Sequence, residues 1–162
     1  HKYQNHRHQY RGRLASDKRR CEIQSLACVW LLAVWPAVAL SDSKPCAPES
    51  IDAVEIVTAE EAIDLIIEYP AMPIIDSRKK TEYVKGHIEG AVSLLDTEMT
   101  EQDLQALSPD RDAAILFYCN GARCLRSSNA IRKAKEWGYT NLIWYRGGWK
   151  EWSDKRLPVV TD

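Results

Sequence analysis

Ala113-Ala-Ile-Leu-Phe-Tyr118, running into Cys119-Asn-Gly-Ala-Arg-Cys-Leu-Arg-Ser127, is the stretch on which the reading of the fold turns. Six apolar or aromatic residues in a row lie between Pro109-Asp-Arg-Asp112 and Asn120-Gly121. Such a run, bounded by turn formers and without polar alternation, is expected of a central parallel strand covered on both faces. From Ser128 the period changes: Ala130, Ile131, Ala134 and Trp137 recur at helical spacing, and Gly138 is a C-terminal stop. The segment therefore reads as strand, loop and helix, with Cys119 at the head of the loop.

The same grammar repeats outward. Downstream, Leu142-Ile-Trp-Tyr145 is a strand, and Gly147-Gly148 leads into a short helix carrying Trp149 and Trp152. Upstream, Val54-Glu-Ile-Val57 is a strand, and Thr58-Ala-Glu-Glu61 is a capping box. Ala62, Leu65, Ile66 and Tyr69 would form the buried face of the helix that follows. Met72-Pro-Ile-Ile75 is a strand ending in Asp76-Ser77-Arg78. A short helix over Thr81 to Lys85, a strand over Gly90 to Leu94 and a helix over Thr100 to Leu107 complete the series. Strands alternating with helices predict an α/β domain, a central mostly parallel sheet flanked by helices on both faces.

A chain of 162 residues suits one such domain, and its 45% hydrophobic and 28% charged residues are those of a globular protein. The net charge of -1 hides a split. Residues 1–39 hold seven Lys/Arg against two Asp/Glu, whereas residues 40–162 hold fifteen against twenty-one. That acidic balance argues against nucleic-acid binding. Three of the four histidines fall in the first eight residues, which leaves only His87 to the domain and argues against a His-rich metal site.

Before the domain, the basic cluster Lys18-Arg-Arg20 precedes the fifteen-residue apolar run Leu26–Leu40. A membrane-spanning helix needs ~20 residues. Pro36 breaks the run just ahead of Ala37-Val38-Ala39, a small-x-small cleavage pattern, so residues 1–39 read as an N-terminal extension with a secretory signal peptide. Residues 40–50, with Pro45 and Pro48, read as a linker, and 51–162 as the domain. Cleavage after Ala39 would put the protein in an oxidising compartment, the bacterial periplasm, with membrane contact only through the signal segment. Cys46, Cys119 and Cys124 would then remain, an odd number that leaves one thiol unpaired within the monomer.

Ligands of open α/β sheets bind beyond the carboxyl ends of the strands. Cys119 is placed there, and a loop entering a helix turns its amides and the helix N-terminus toward an anion. Arg123 and Arg126 would add full charges. A free thiol has a pKa of ~8.5, and such positions lower it to about 3.5–7.5, so Cys119 is expected to be a thiolate nucleophile rather than a buried small hydrophobe.

On Ile75-Asp76-Ser77-Arg78, Tyr83-Val-Lys-Gly-His-Ile-Glu-Gly-Ala91, Tyr118-Cys119 and Tyr145-Arg-Gly-Gly-Trp149, in that order and spacing, the chain resembles the rhodanese superfamily over roughly residues 51–161. The resemblance implies a rhodanese-like three-layer fold and a single-domain, exported sulfurtransferase without a cofactor. Cys119 would hold sulfur from a donor such as thiosulfate as a persulfide and pass it to a thiol or cyanide-like acceptor, or to a periplasmic protein. Asn120, Gly121, Ala122, Arg123, Cys124, Leu125 and Arg126 would form the substrate-binding loop. Asp76, Arg78 and His87 would support it structurally, and Trp144, Trp149 and Trp152 would pack the core or contact substrate.

The loop departs from the pattern in its arginines. Many single-domain rhodaneses place four residues between Cys and Arg, and related phosphatases five; here the intervals are three to Arg123 and six to Arg126. Phosphatase chemistry is disfavoured by that spacing. Cys124, five positions after Cys119, reads either as a resolving thiol or as a residue packed under the loop. Zinc is disfavoured, since C-x4-C without nearby ligands lacks the usual set. Two other functions stay open at this point: a thiol–disulfide redox protein using Cys119 and Cys124, and a non-catalytic rhodanese-like binding module.

Overall fold

The computed structural model describes residues 45–162, so the expected signal peptide and residues 40–44 of the expected linker lie outside the described residues. Five strands, β1 (Glu55–Ile56), β2 (Ile74–Asp76), β3 (Ala91–Ser93), β4 (Ile115–Tyr118) and β5 (Leu142–Tyr145), alternate with five helices. These are α1 (Ala59–Glu68), α2 (Lys80–Tyr83), α3 (Glu101–Leu107), α4 (Leu125–Glu136) and α5 (Gly148–Asp154). The sheet order is β1-β5-β4-β2-β3 and every pairing is parallel, so the expected mostly parallel sheet is wholly so.

Alternate residues of the strands build two cores. Leu116, Tyr118, Ile143 and Tyr145 pack with Ala62 and Ile63 of α1, Tyr83 of α2 and Trp152 of α5. Ile115, Phe117, Leu142 and Trp144 pack with Leu104 of α3 and Ala130, Ile131 and Ala134 of α4. The chain moves one way along the sheet from β1 to β3 and back from β3 to β5. Crossovers of one hand therefore put α1 and α2 on one face and α3 and α4 on the other. The reversal falls between β2 and β4, which opens a crevice at their carboxyl ends. Cys119 stands immediately after β4.

Local sequence explains most boundaries. Thr58 accepts from the Glu61 amide at 3.3 Å while Glu61 takes the Thr58 amide at 2.8 Å, and Thr100 with Asp103 repeats the arrangement at α3. At the end of α4, Gly138 has φ +87° and lets the Tyr139 amide reach Ala134 O at 3.1 Å, a Schellman closure.

Three expectations need correction. On α1, Ala62 is buried and Leu65 and Ile66 pack against the core as expected, with Ala59 and Ile63 beside them, but Tyr69 is 51% exposed. It is the C-cap at φ -121°, and Pro70 keeps the chain off the helical path, so its ring swings outward. Second, α4 begins at Leu125 instead of Ser128. Ser128 is not its N-cap: its hydroxyl donates to Leu125 O at 2.8 Å inside the first turn, and Cys124 is the N-cap. Third, residues 45–50 of the expected linker are docked. Ala47 is 6% exposed, its amide donates to Arg123 O at 3.3 Å, and Arg146 Nε donates to Pro48 O at 3.0 Å. Among the described residues no helix is long and apolar enough to cross a membrane.

Candidate active site

Because α4 starts at Leu125, the loop after β4 is a tight turn over Cys119–Cys124, closed by the Cys124 amide donating to Gly121 O at 2.9 Å. It is clamped from the side by the start of α5. The Trp149 amide donates to Cys119 O at 2.8 Å and the Lys150 amide to Asn120 O at 3.0 Å. That approach requires glycine at 148, where φ is +60° and a Cβ would lie 2.3 Å from Cys119 O.

Cys119 is 1% exposed. Its Sγ faces Ser127 Oγ at 3.0 Å and Cys124 O at 3.4 Å. Trp144 Nε1, which can only donate, gives its proton to Ser127 Oγ at 2.9 Å. One Ser127 lone pair is thereby occupied, and its own O–H is free to point at Cys119. Ser127 is the third residue of α4, so its amide is one of the unsatisfied donors of a helix N-terminus. The sequence had placed Ser127 in the loop and Trp144 in the core; taking the helix start at Leu125 would have exposed both roles.

The Cys119 and Cys124 thiols titrate as an interacting pair. The Cys119 thiol is pushed well above its usual range, first by donating to Cys124, then by burial and by repulsion from a Cys124 thiolate. The Ser127 hydroxyl and amide pull the other way without offsetting this. The Cys124 thiol is drawn down to about 6 by its hydrogen bond with Cys119, against partial burial, with the Arg126 and Asn120 amides and the Arg126 charge assisting.

The arginines do not converge on Cys119. Arg126 Nη1 pairs with Glu82 Oε2 at 3.2 Å, and the same carboxylate takes Asn120 Nδ2 at 2.8 Å. Burial opposes ionisation of Glu82, but Asn120, the Lys79 amide and the charges of Arg126 and Arg78 bring its pKa below the usual value. Glu82 comes from α2, distant in sequence, and no local pattern announces it. Arg123 is exposed and reaches back to Cys46 Sγ at 3.6 Å. Gly121, Ala122 and Leu125 shape the turn and stay partly buried.

Asp76 and Arg78 form the buried frame beneath the loop. Arg78, 1% exposed, grips Asp76 through Nε at 3.0 Å and Nη2 at 2.6 Å, donates to Gly86 O at 2.8 Å, and lies 4.3 Å from the Trp149 ring centroid. Tyr118 Oη donates to Asp76 Oδ2 at 2.6 Å. His87 is buried, stacked on Tyr83 with centroids 3.7 Å apart, and its backbone bridges to Val160. It anchors the C-terminal tail. Trp152 Nε1 donates to Pro158 O at 2.9 Å and does the same. Among the described residues there is no cluster of His, Cys, Asp and Glu that could hold a metal ion.

A parallel three-layer α/β domain with a cysteine-headed turn at the carboxyl edge of its sheet is, in class, a domain built around a thiol. A sequence profile of the rhodanese-like domain matches residues 58–155, and the chain belongs to the rhodanese-like family. It is 29% identical over 108 residues to the protein YibN of Escherichia coli K12, covering 66% of this chain and 73% of that one. It is 30% identical over 84 residues to the thiosulfate sulfurtransferase PspE of the same organism, covering 50% of this chain and 78% of that one. The human single-domain sulfurtransferase TSTD1 superposes with a TM-score of 0.52 at 26% identity, covering 62% of this chain and 96% of that one.

Proposed function

We propose that the protein is a sulfurtransferase in which Cys119 takes sulfur from a small anionic donor such as thiosulfate and carries it as a persulfide. The observation that carries this reading is the placement of the Cys119 sulfur at the carboxyl end of β4, with the Ser127 hydroxyl oriented toward it at 3.0 Å by Trp144. The names of PspE and TSTD1 support the same class of reaction.

Cys119 first gives its proton to the Cys124 thiolate. The Cys119 thiolate then attacks the outer sulfur of thiosulfate; the new S–S bond forms as sulfite leaves with the electron pair of the old one. A thiol or cyanide-like acceptor, or a sulfur-accepting protein, attacks the outer sulfur of the persulfide and restores the thiolate. Splitting one transfer into two displacements is covalent catalysis. The same reading sets the reaction in the periplasm, on the strength of the basic, apolar and Ala37-Val38-Ala39 pattern.

Intact-mass analysis tests it. Thiosulfate should add one sulfur to the protein, peptide mapping should place that sulfur on Cys119, and Cys119→Ser should abolish both the adduct and thiocyanate formation. No adduct and no thiocyanate from thiosulfate, polysulfide or 3-mercaptopyruvate would overturn the reading. The mass of the secreted chain, against cleavage after Ala39, tests export.

A further inference from the structure

We propose that Cys124 is a second catalytic thiol, which discharges a persulfide on Cys119 by forming a Cys119–Cys124 disulfide and releasing hydrosulfide. This rests on the Cys119 persulfide proposed above and adds a product that simple transfer to an outside acceptor does not yield.

Three features of the turn carry the inference. Cys119 Sγ lies 3.4 Å from the backbone oxygen of Cys124, so the two cysteines meet across the turn, and each thiol shifts the titration of the other. Their access differs: Cys119 is 1% exposed, which hinders a bulky acceptor, whereas Cys124 is half-buried at the rim. The turn also holds them together, through the bond from the Cys124 amide to Gly121 O at 2.9 Å and the clamp of Trp149 on Cys119 O at 2.8 Å. A nucleophile held beside its target in this way competes strongly with one from solution.

In the step proposed, Cys124 passes the proton it took from Cys119 to the outer sulfur of the persulfide, and the resulting Cys124 thiolate attacks Cys119 Sγ. The bond between the two Sγ atoms forms, and the bond from Cys119 Sγ to the outer sulfur breaks. The outer sulfur leaves with that electron pair and the persulfide proton as hydrosulfide. The two cysteine sulfurs are oxidised to the disulfide while the sulfane sulfur is reduced to sulfide. A dithiol reductant, small molecule or protein, then returns both cysteines to thiols and completes the cycle by thiol–disulfide exchange.

The experiment loads the protein with excess thiosulfate, removes donor and small thiols, and follows hydrosulfide release, protein mass and the disulfide map with time. The wild-type chain should release stoichiometric hydrosulfide and end with a Cys119–Cys124 bridge. Cys124→Ser, loaded to completion, should keep its persulfide and release hydrosulfide roughly tenfold more slowly or worse, yet surrender the sulfur to added cyanide. Cys46→Ser should behave as wild type. If Cys119 never loads, both this inference and the sulfurtransferase reading fall. If it loads and no bridge or hydrosulfide appears, or the sulfur is found on Cys124 or the bridge on Cys46, the inference falls and the sulfurtransferase reading stands.

Discussion

At the scale of single residues, the site is a set of protons whose positions follow from a few hydrogen bonds. Trp144 donates to Ser127 Oγ, which leaves the Ser127 hydroxyl proton for the sulfur that must become anionic. A hydrogen bond to a charged group contributes ~1.5–3 kcal/mol, so Ser127→Ala should slow persulfide formation by on the order of ten- to a hundredfold. Trp144→Phe leaves the hydroxyl but frees its rotation, and its loss should be smaller, a few-fold. Single-turnover kinetics with thiosulfate measures both. The thiol pair has its own signature. Alkylation of Cys124 by iodoacetamide should rise with pH through a midpoint of about 6, because the thiolate is the reactive form and the Cys119 proton stabilises it. Cys119→Ala removes that donor, and the midpoint should move upward; peptide-resolved alkylation rates against pH decide. Cys119 was legible from sequence because it ends the strongest apolar run. Its close partnership with Cys124 was not, since that depends on how the turn brings Cys119 Sγ to 3.4 Å from the Cys124 backbone oxygen.

At the scale of elements, the turn is shaped less by its own residues than by the junction between β5 and α5. Gly148→Ala would drive a Cβ to 2.3 Å from Cys119 O at a left-handed φ of +60°. Steric overpacking and the left-handed backbone together should cost about 2–4 kcal/mol. Urea denaturation reads the stability loss, and the Cys119 loading rate reads the displaced turn. The order and types of the elements were legible because capping boxes, apolar runs and terminal glycines are local signals. The start of α4 was not. Ser128 has the chemistry of an N-cap, but Cys124, a weak capping residue, takes the position because the turn closes there. Residues 45–50 misled in the same way: Pro and polar composition marks a linker, and docking through Ala47 depends on Arg123, far along the chain.

At the scale of the whole molecule, the loop stands on a buried ionic frame. Asp76, Arg78 and Tyr118 join β2, β4 and the Gly86 turn, and Arg78 carries Trp149 of α5 on its guanidinium face. Breaking a buried pair by removing one partner leaves an uncompensated charge, so Arg78→Ala should destabilise the fold by ~3–5 kcal/mol. Arg78→Lys should recover only part of this, because an ammonium cannot fork onto the carboxylate while stacking on an indole. Denaturant midpoints of the two variants supply the comparison. The resemblance read from the Asp76 and Arg78 motif and the Gly-Gly-Trp motif identified the fold, and the structure shows why the motifs belong together: they touch.

The strand order has a consequence for how the chain is made. β1, first to be synthesised, has β5 as its sole neighbour, and β4 has β5 on one side. A ribosome must therefore pass residue 145 before the first strand has a partner or the Cys119 strand is enclosed. Pairings so distant in sequence form late, and the thiols they will enclose stay open to solvent until then. Throughout elongation Cys46, Cys119 and Cys124 are three ordinary cysteines on a nascent polypeptide; the turn that distinguishes them exists only once the last strand has arrived.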